Sequence, residues 1–349
     1  MKDLTINSNI SIRQAMKKLS QTGKKCLVIV DDNRILLGTL SDGDLRRAIL
    51  NGSFVSDPIK EIYQKEPTIL MEGKYKLYEA KKIFINNKFD LIPVVDKNYK
   101  LTDILLWETV FKNGGGKQLQ KLDVPVVIMA GGEGTRMEPF TKVLPKPLVP
   151  IHEKPVIEHI IESFTDFGVN RFILTVNYKA RILKAYFEEL KSEYSVDFVE
   201  ENEPLGTAGS LRFLIDQFNQ PFFVTNCDII IKTDYTSLYE FHQRGGYDLT
   251  LVASVKNYII PYGTCELNSE GHLKQINEKP DFDFLVNIGA YVVNPDILQL
   301  IPGNKLYHIT QLIEDAQKRG KRVGVYPIDD DAWVDVGQWT DYKRAVENL

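Results

Sequence analysis

Residues 126–150, VVIMAGGEGTRMEPFTKVLPKPLVP, gather the groups best suited to chemistry on a polyphosphate. Gly131, Gly132 and Gly134 follow a short apolar run, and Thr135 and Arg136 come next. Glycines let the backbone approach a ligand and take positive φ without steric cost. Successive N–H groups in such a turn form an anion-binding concavity. Arg136 adds a planar fork of donors matched to phosphate oxygens. Lys146 stands between Pro145 and Pro147, which fix φ on both sides and hold the lysine on a stiff segment. The spacing is not the Walker pattern, and Met137 occupies the third glycine of Gly-x-Gly-x-x-Gly.

Two aspartates and a carboxylate loop complete the set. Asp228 ends the run FFVTNCD, just past a predicted strand, and Asp335 lies in WVDVG. Either aspartate taken alone reads as a cap or turn residue. Between a predicted strand and helix lies Glu201-Asn202-Glu203-Pro204-Leu205-Gly206-Thr207. A carboxylate only accepts hydrogen bonds. Glu201 therefore offers acceptors only, as do the rival carboxylates Glu200 and Glu203.

The glycine stretch closely resembles the signature of sugar-1-phosphate nucleotidyltransferases, G-G-x-G-T-R-(L/M)-x-P-x-T followed by P-K-P. The resemblance spans about Val124 to Leu349. It implies NTP + sugar 1-phosphate → NDP-sugar + pyrophosphate. Arg136 and Lys146 would then be catalytic. Gly131, Gly132, Gly134, Thr135, Glu201, Gly206 and Thr207 would bind the nucleotide, with GTP favoured by Glu201. Asp228 and Asp335 would hold Mg²⁺. Gly263, Glu278, Lys279 and Asn287 fall on the family's sugar-binding stretch and would contact the sugar phosphate.

These side chains need a scaffold. Strand-like and helix-like segments alternate: 126–129, 155–168, 171–176, 180–191, 196–199, 207–217 and 222–225. This rhythm predicts an α/β class, a Rossmann-like, mostly parallel sheet with ligands at the carboxyl ends of its strands.

The first third contains a repeat. Residues 11–31 align with 76–96, each copy an amphipathic helix, an apolar strand and a turn. Ile10, Ile12, Met16 and Leu19 are placed on one face of the first helix. Gly38-Thr39-Leu40-Ser41-Asp42-Gly43-Asp44 then precedes a helix, and this arrangement resembles the CBS domain. The copies together look like a CBS pair. The resemblance implies that Ser41 serves phosphate and Asp44 serves ribose of an adenine nucleotide; equally, Asp44 caps the following helix and the pair is a dimerisation platform. Asp103, Leu106 and Thr109 depart from the pattern in the second copy, leaving one competent site. The division expected is CBS domains at 1–60 and 61–116, a glycine-rich linker at 117–122 and a nucleotidyltransferase domain at 123–349.

Composition narrows the classes. A net charge of −4 over 349 residues gives no electrostatic footprint for nucleic acid. No apolar run approaches bilayer length and no apolar leader is evident, so no membrane partner is expected and the cytoplasm is the expected compartment. Cys26, Cys227 and Cys265 are scattered, with neither disulfide nor zinc spacing. The joint architecture resembles CBS-containing guanylyltransferases of legionaminic acid pathways, which act on glucosamine 1-phosphate. Mannose 1-phosphate as acceptor, and cytidylyl or uridylyl transfer, stay open, as does a non-catalytic CBS-linked nucleotide sensor. An NAD-dependent dehydrogenase is disfavoured by the missing third glycine. Assembly as a homo-oligomer through the CBS pairs is expected.

Overall fold

The computed structural model describes residues 4–87, 89–110, 121–303 and 305–348. Most of the expected linker, and the boundary near Gly116, lie outside these residues. Two compact units emerge. One comprises Met1–Lys117, Ser254–Val286 and Pro327–Asp331; the other comprises Gln118–Ala253, Asn287–Tyr326 and Ala332–Leu349.

In the first unit the sequence repeat becomes a structural one. The first copy contains β1 (Thr5–Ile6), α1 (Ile12–Thr22), β2 (Cys26–Val30), β3 (Leu36–Ser41) and α2 (Asp42–Leu50). The second contains β4 (Leu70–Met71), α2's successor α3 (Leu77–Asn87), β5 (Leu91–Val95) and β6 (Leu101–Leu106). Each copy forms a three-stranded sheet, ordered β1-β2-β3 and β4-β5-β6. Helix α1 starts at Ser11, whose hydroxyl takes the Gln14 N–H while the Gln14 side chain takes the Ser11 N–H. Gly23 at φ 61° stops it. Ile12, Ala15, Met16 and Leu19 are buried, whereas Ile10 precedes the helix and packs on the same core from outside it.

Even the irregularities repeat. The strand register shifts at Ile29/Val30 and again at the equivalent Val94/Val95. Asp31 Oδ1 accepts the Asn33 and Ile35 N–H groups at 2.9 and 2.7 Å, and Asp96 Oδ1 accepts those of Asn98 and Lys100 at 2.8 and 2.9 Å. The copies share a core of Val28, Leu36, Leu91, Val95 and Leu101. Each copy thus covers part of the apolar surface of the other.

Val255, from the 254–286 segment, is buried with Leu4, Ile12 and Leu40 in the core of the first copy. The acidic run 329–331, which reads as a solvated turn, is instead bonded: Asp331 pairs with Lys17 at 3.1 Å, and Asp330 accepts from Ser254 at 3.0 Å and Lys256 at 3.3 Å.

The second unit is built on β7 (Val126–Met129), β8 (Arg171–Val176), β9 (Ser195–Glu200) and β10 (Phe222–Asn226), which are mutually parallel in the order β9-β8-β7-β10. β11 (Ile229–Ile231) follows at once, outside this sheet. β12 (Leu249–Ile259), β13 (Thr264–Leu267), β14 (Leu273–Asn277), β15 (Asp281–Val293), β16 (Val323–Asp329) and β17 (Trp333–Asp335) come later in the chain. β15 joins antiparallel beside β10, and β12 and β16 extend the sheet to seven strands. The β-branched run Val126–Met129 is buried throughout, as a central parallel strand requires. Helices α4 (Val156–Thr165), α5 (Ala180–Glu189), α6 (Tyr235–Gly245), α7 (Ile309–Lys318) and α8 (Trp339–Asn348) complete the set named here. α4 buries Val156, Ile157, Ile160, Ile161 and Phe164, the face that its periodicity predicts. The single helix expected over 207–217 is a short turn, Gly206–Gly209, running into a 3₁₀ turn at Ser210–Leu214.

Candidate active site

A cleft of about 400 Å³ opens at the carboxyl ends of β7 and β10. Gly131, Gly132, Gly134, Thr135, Arg136, Lys146, Glu201, Gly206, Thr207 and Asp228 all line it. Met129, Thr175, Pro204, Asn226, Cys227 and Leu306 complete the wall; sequence reasoning had assigned these no role. Pro204, Asn226 and Cys227 sit inside the stretches that carry Glu201 and Asp228, whereas Met129, Thr175 and Leu306 have no motif of their own.

The glycines serve different purposes. Gly132 faces open space. Gly134 sits at φ 70°, and a Cβ there would lie 2.9 Å from Thr141 Cγ2 and 3.1 Å from Lys146 Cβ. Gly131 abuts Glu201: an added Cβ would stand 2.9 Å from Oε1. Gly206, at φ 79°, is pressed against the Tyr307 carbonyl, where a Cβ would come within 2.7 Å. The Thr207 hydroxyl accepts the Ile309 N–H at 3.0 Å.

Glu201 is buried at 7% exposure. Its Oε2 accepts the Leu205 N–H at 3.0 Å, which leaves Oε1 on the Gly131 side. Burial raises its pKa, opposed by the Leu205 N–H and by the neighbouring Ser210 and Thr175 hydroxyls. Neither hydroxyl reaches hydrogen-bonding geometry, so their influence is that of nearby dipoles.

Lys146 lies in a 3₁₀ turn that starts after Pro145, and its Nζ donates to Asp228 Oδ2. Both side chains are nearly buried. Asp228 follows β10, and β11 returns to pair with β17, placing Ile229 opposite Asp335. Asp335 accepts the Gly337 N–H at 2.6 Å, and the Val336 N–H donates to the Asp228 carbonyl at 2.8 Å. A Cβ on Gly337 would lie 2.7 Å from Asp228 Oδ2, 2.9 Å from Asp335 Oδ1 and 3.1 Å from Lys146 Nζ. Gly337 is therefore the point around which all three groups converge. Burial raises the Asp335 pKa; the Gly337 N–H lowers it, Asp228 raises it and Lys146 lowers it.

Helix α8 buttresses the loop. The Trp339 indole stacks on Phe140 at 5.1 Å, and its N–H donates to the Glu138 carbonyl at 2.6 Å.

These features fit one family. Residues 125–349 match the family model described as nucleotidyl transferase. The chain belongs to the nucleotidyl transferase family. Residues 1–51 also match the CBS domain model. Among relatives of the nucleotidyl transferase part, the mannose-1-phosphate guanyltransferase of Schizosaccharomyces pombe is 35% identical over 226 residues, covering 62% of this chain and 61% of that protein. The chain thus spans about three fifths of the length of this curated relative. The crystal structure of HddC from Yersinia pseudotuberculosis is 29% identical with a TM-score of 0.52, covering 64% of this chain and 98% of that one. The same protein complexed with GMP-PN is 28% identical with a TM-score of 0.51 over the same share of this chain and 98% of that one.

The remaining predicted residues are dispersed. Asn287 belongs to the same unit as the cleft; its oxygen accepts the Gly289 N–H at 3.0 Å and its amide donates to the Tyr291 hydroxyl at 2.9 Å. A Cβ on Gly289 would meet Asn226 Nδ2 at 2.3 Å, so Asn287 fixes a bend beside a cleft residue. Gly263, Glu278 and Lys279 belong to the other unit. There a Cβ on Gly263 would lie 2.9 Å from Glu278 Oε2, and Lys279 takes φ 46°.

Ser41 and Asp44 are engaged with one another. The Ser41 N–H and hydroxyl both donate to Asp44 Oδ2, at 2.9 and 2.6 Å, and Ser41 Oγ accepts the Asp44 N–H at 3.2 Å. Ser41 is the N-cap of α2, and Asp44 closes the box. Among the described residues, no helix is long and apolar enough to cross a membrane.

Proposed function

We propose that this chain transfers GMP from GTP to a sugar 1-phosphate, releasing pyrophosphate. The carrying observation is the convergence of Lys146, Asp228 and Asp335 around Gly337, at one end of a cleft walled by the glycine loop, Arg136 and Glu201. The guanyltransferase relatives and the HddC structure with GMP-PN support a guanine nucleotide.

The chemistry follows from charge. A sugar phosphate with a second pKa of about 6 is largely dianionic at neutral pH. It attacks the α-phosphorus without a general base, forming the new P–O bond as the bond to pyrophosphate breaks. The protein's task is to position two polyanions and neutralise the developing charge. Lys146 does so at the transferred phosphorus, and Arg136 and the loop amides hold the departing pyrophosphate. Glu201 Oε1 accepts from the guanine edge.

Asp228 and Asp335 offer two nearby carboxylates, a donor set that fits magnesium. When bound there, the metal would neutralise phosphate charge. Gly263, Glu278, Lys279 and Asn287 are assigned to the sugar phosphate. Glucosamine 1-phosphate is the acceptor implied by the CBS-containing resemblance, and mannose 1-phosphate is the one that the relatives' names favour. An adenine nucleotide at Ser41 and Asp44 would regulate transfer, and the chain works as a homo-oligomer.

Magnesium-dependent pyrophosphate release tests this, with four nucleoside triphosphates crossed against glucosamine, mannose, glucose and N-acetylglucosamine 1-phosphates. Release with GTP and one sugar supports the reading. Release only with another nucleotide removes the role given to Glu201. No release with any pair, with or without AMP, ADP or ATP, refutes it.

A further inference from the structure

The segment that carries Lys146 has little of its own to hold it in place. Between Gly134 and Pro150 the chain makes three short turns, Thr135–Met137, Phe140–Val143 and Lys146–Leu148. Among the described residues none of the three has a side-chain cap. Pro139, Pro145, Pro147 and Pro150 lack N–H groups and so remove backbone donors. Turns this short are marginal without outside contacts. A lysine that stabilises charge at a reacting phosphorus nevertheless has to be aimed closely.

Three carbonyls of this segment accept hydrogen bonds from side chains of distant elements. Lys179 Nζ donates to the Thr141 carbonyl at 2.8 Å, the Trp339 indole N–H to that of Glu138 at 2.6 Å and the Tyr342 hydroxyl to that of Pro150 at 2.6 Å. Trp339 and Tyr342, at i and i+3, share one face of α8. Both rings pack on Phe140, Trp339 stacked at 5.1 Å and Tyr342 edge-on at 5.9 Å. Lys179 takes φ 55°, a left-handed conformation that costs a non-glycine residue and persists only where its surroundings require it. From Lys179 the hold passes inward. The Thr141 hydroxyl donates to the Gly134 carbonyl at 2.9 Å, and a Cβ on Gly134 would lie 3.1 Å from Lys146 Cβ.

We propose that Lys179, Trp339 and Tyr342 are positioning residues: they hold the Glu138–Pro150 segment by its carbonyls and thereby aim Lys146. This role rests on that of Lys146 at the transferred phosphorus. α8 follows β17 in the chain, so one short stretch links Asp335 to both flanks of the lysine segment. Bonds that merely stabilised the fold would, when lost, lower the melting temperature and leave turnover per folded molecule unchanged. Bonds that aim Lys146 should do the opposite, because a small misplacement of a catalytic group costs a large factor in rate.

Variants that remove only the donor test this: Lys179→Met, Trp339→Phe and Tyr342→Phe, assayed by pyrophosphate release with the nucleotide and sugar phosphate that the parent uses. Each should lower kcat about tenfold, with KM for either substrate changed by about threefold at most and melting within a few degrees of the parent. Lys179→Arg, which keeps a donor, should restore most of the rate. In a Lys146→Ala background the same substitutions should have no further effect on kcat, because they act through a side chain that is gone. Tyr239→Phe removes a hydroxyl that donates to the Pro221 carbonyl at 3.2 Å, outside the segment, and should leave kcat unchanged. If Trp339→Phe misfolds, the other two variants, which keep the ring packing on Phe140, carry the test. Parent-like kcat in the donor variants overturns the proposal, as does an equal loss in the Lys146→Ala background. Near-normal turnover of Lys146→Ala removes the role of Lys146 and this proposal with it, whereas a crippled Lys146→Ala beside unaffected donor variants removes this proposal alone. A parent without turnover on any pair refutes the transfer and this role together.

Discussion

The Ser41–Asp44 turn and the cleft around Lys146 use the same kinds of group: a carboxylate and hydrogen-bond donors beside the end of a strand. In the first, donors and acceptor lie three residues apart and satisfy each other, with the Ser41 hydroxyl 2.6 Å from Asp44. In the second, Lys146 and Asp228 are 82 residues apart and meet only because β7 and β10 are neighbours. In the local box the Ser41 N–H and hydroxyl are both bonded to Asp44, and a nucleotide there would exchange these bonds for its own. The non-local pair is one lysine facing two aspartates, with Asp335 held to the backbone of Gly337. A glycine-lined cleft adjoins it. A similar motif can thus end as a cap or as a site, and the outcome depends on whether its partners are near in sequence.

Lys146→Ala is the strongest way to break this contrast. The variant should retain the parent's melting behaviour within a few degrees and lose turnover by about 10²–10³-fold. Near-normal pyrophosphate release would remove Lys146 from the chemistry. Asp335→Asn should weaken activity less, by about tenfold to a hundredfold, and shift the magnesium titration to higher concentration. An unshifted titration would show that Asp335 meets no metal.

Glu201→Gln sharpens the middle ground, because that carboxylate is half committed to Leu205. GTP should lose about tenfold of its advantage over the other triphosphates. The variant also tests pH dependence. Burial raises the pKa of Glu201, so the folded chain binds that proton more tightly than the unfolded chain. Stability therefore falls as pH rises from the unfolded value of about 4.3 through the higher folded one. Glutamine removes this penalty, so the variant should melt above the parent at pH 7, with the gap closing towards acid. A gap that widened towards acid would reverse the sign of the shift.

Ser41→Ala has the smallest expected effect. Loss of the N-cap should cost about 1 kcal/mol in chemical denaturation and leave turnover without added nucleotide unchanged. If adenine nucleotides alter the parent's kinetics, that response should weaken in the variant. A denaturation midpoint equal to the parent's would deny the cap.

Much of the catalytic fold was legible. Val126–Met129 and Arg171–Val176 are strands over those very residues, because β-branched runs bounded by turns have few alternatives. The helix expected from 207 to 217 was less secure: the α-helical turn ends at Gly209, Ser210–Leu214 is 3₁₀, and residues 215–217 are turn and bend. The structure adds a second constraint on individual residues. Gly131 and Gly206 read as openings for a ligand, yet each is also crowded by protein, by Glu201 and by the Tyr307 carbonyl. Trp339 carried no signal as a support for the glycine loop, since its contact with Phe140 joins residues distant in the chain.

Sequence alone determined the α/β rhythm, the internal repeat and the inventory of phosphate-binding, acidic and glycine residues. Those features are encoded by periodicity, caps and turns over a few neighbouring residues. Only the tertiary structure decided which distant groups meet: that Lys146 joins Asp228 and Asp335 around Gly337, and that Val255 enters the core of the first repeat. Such meetings depend on strand order and on the volume available between packed elements, neither of which is stored in any short stretch of chain.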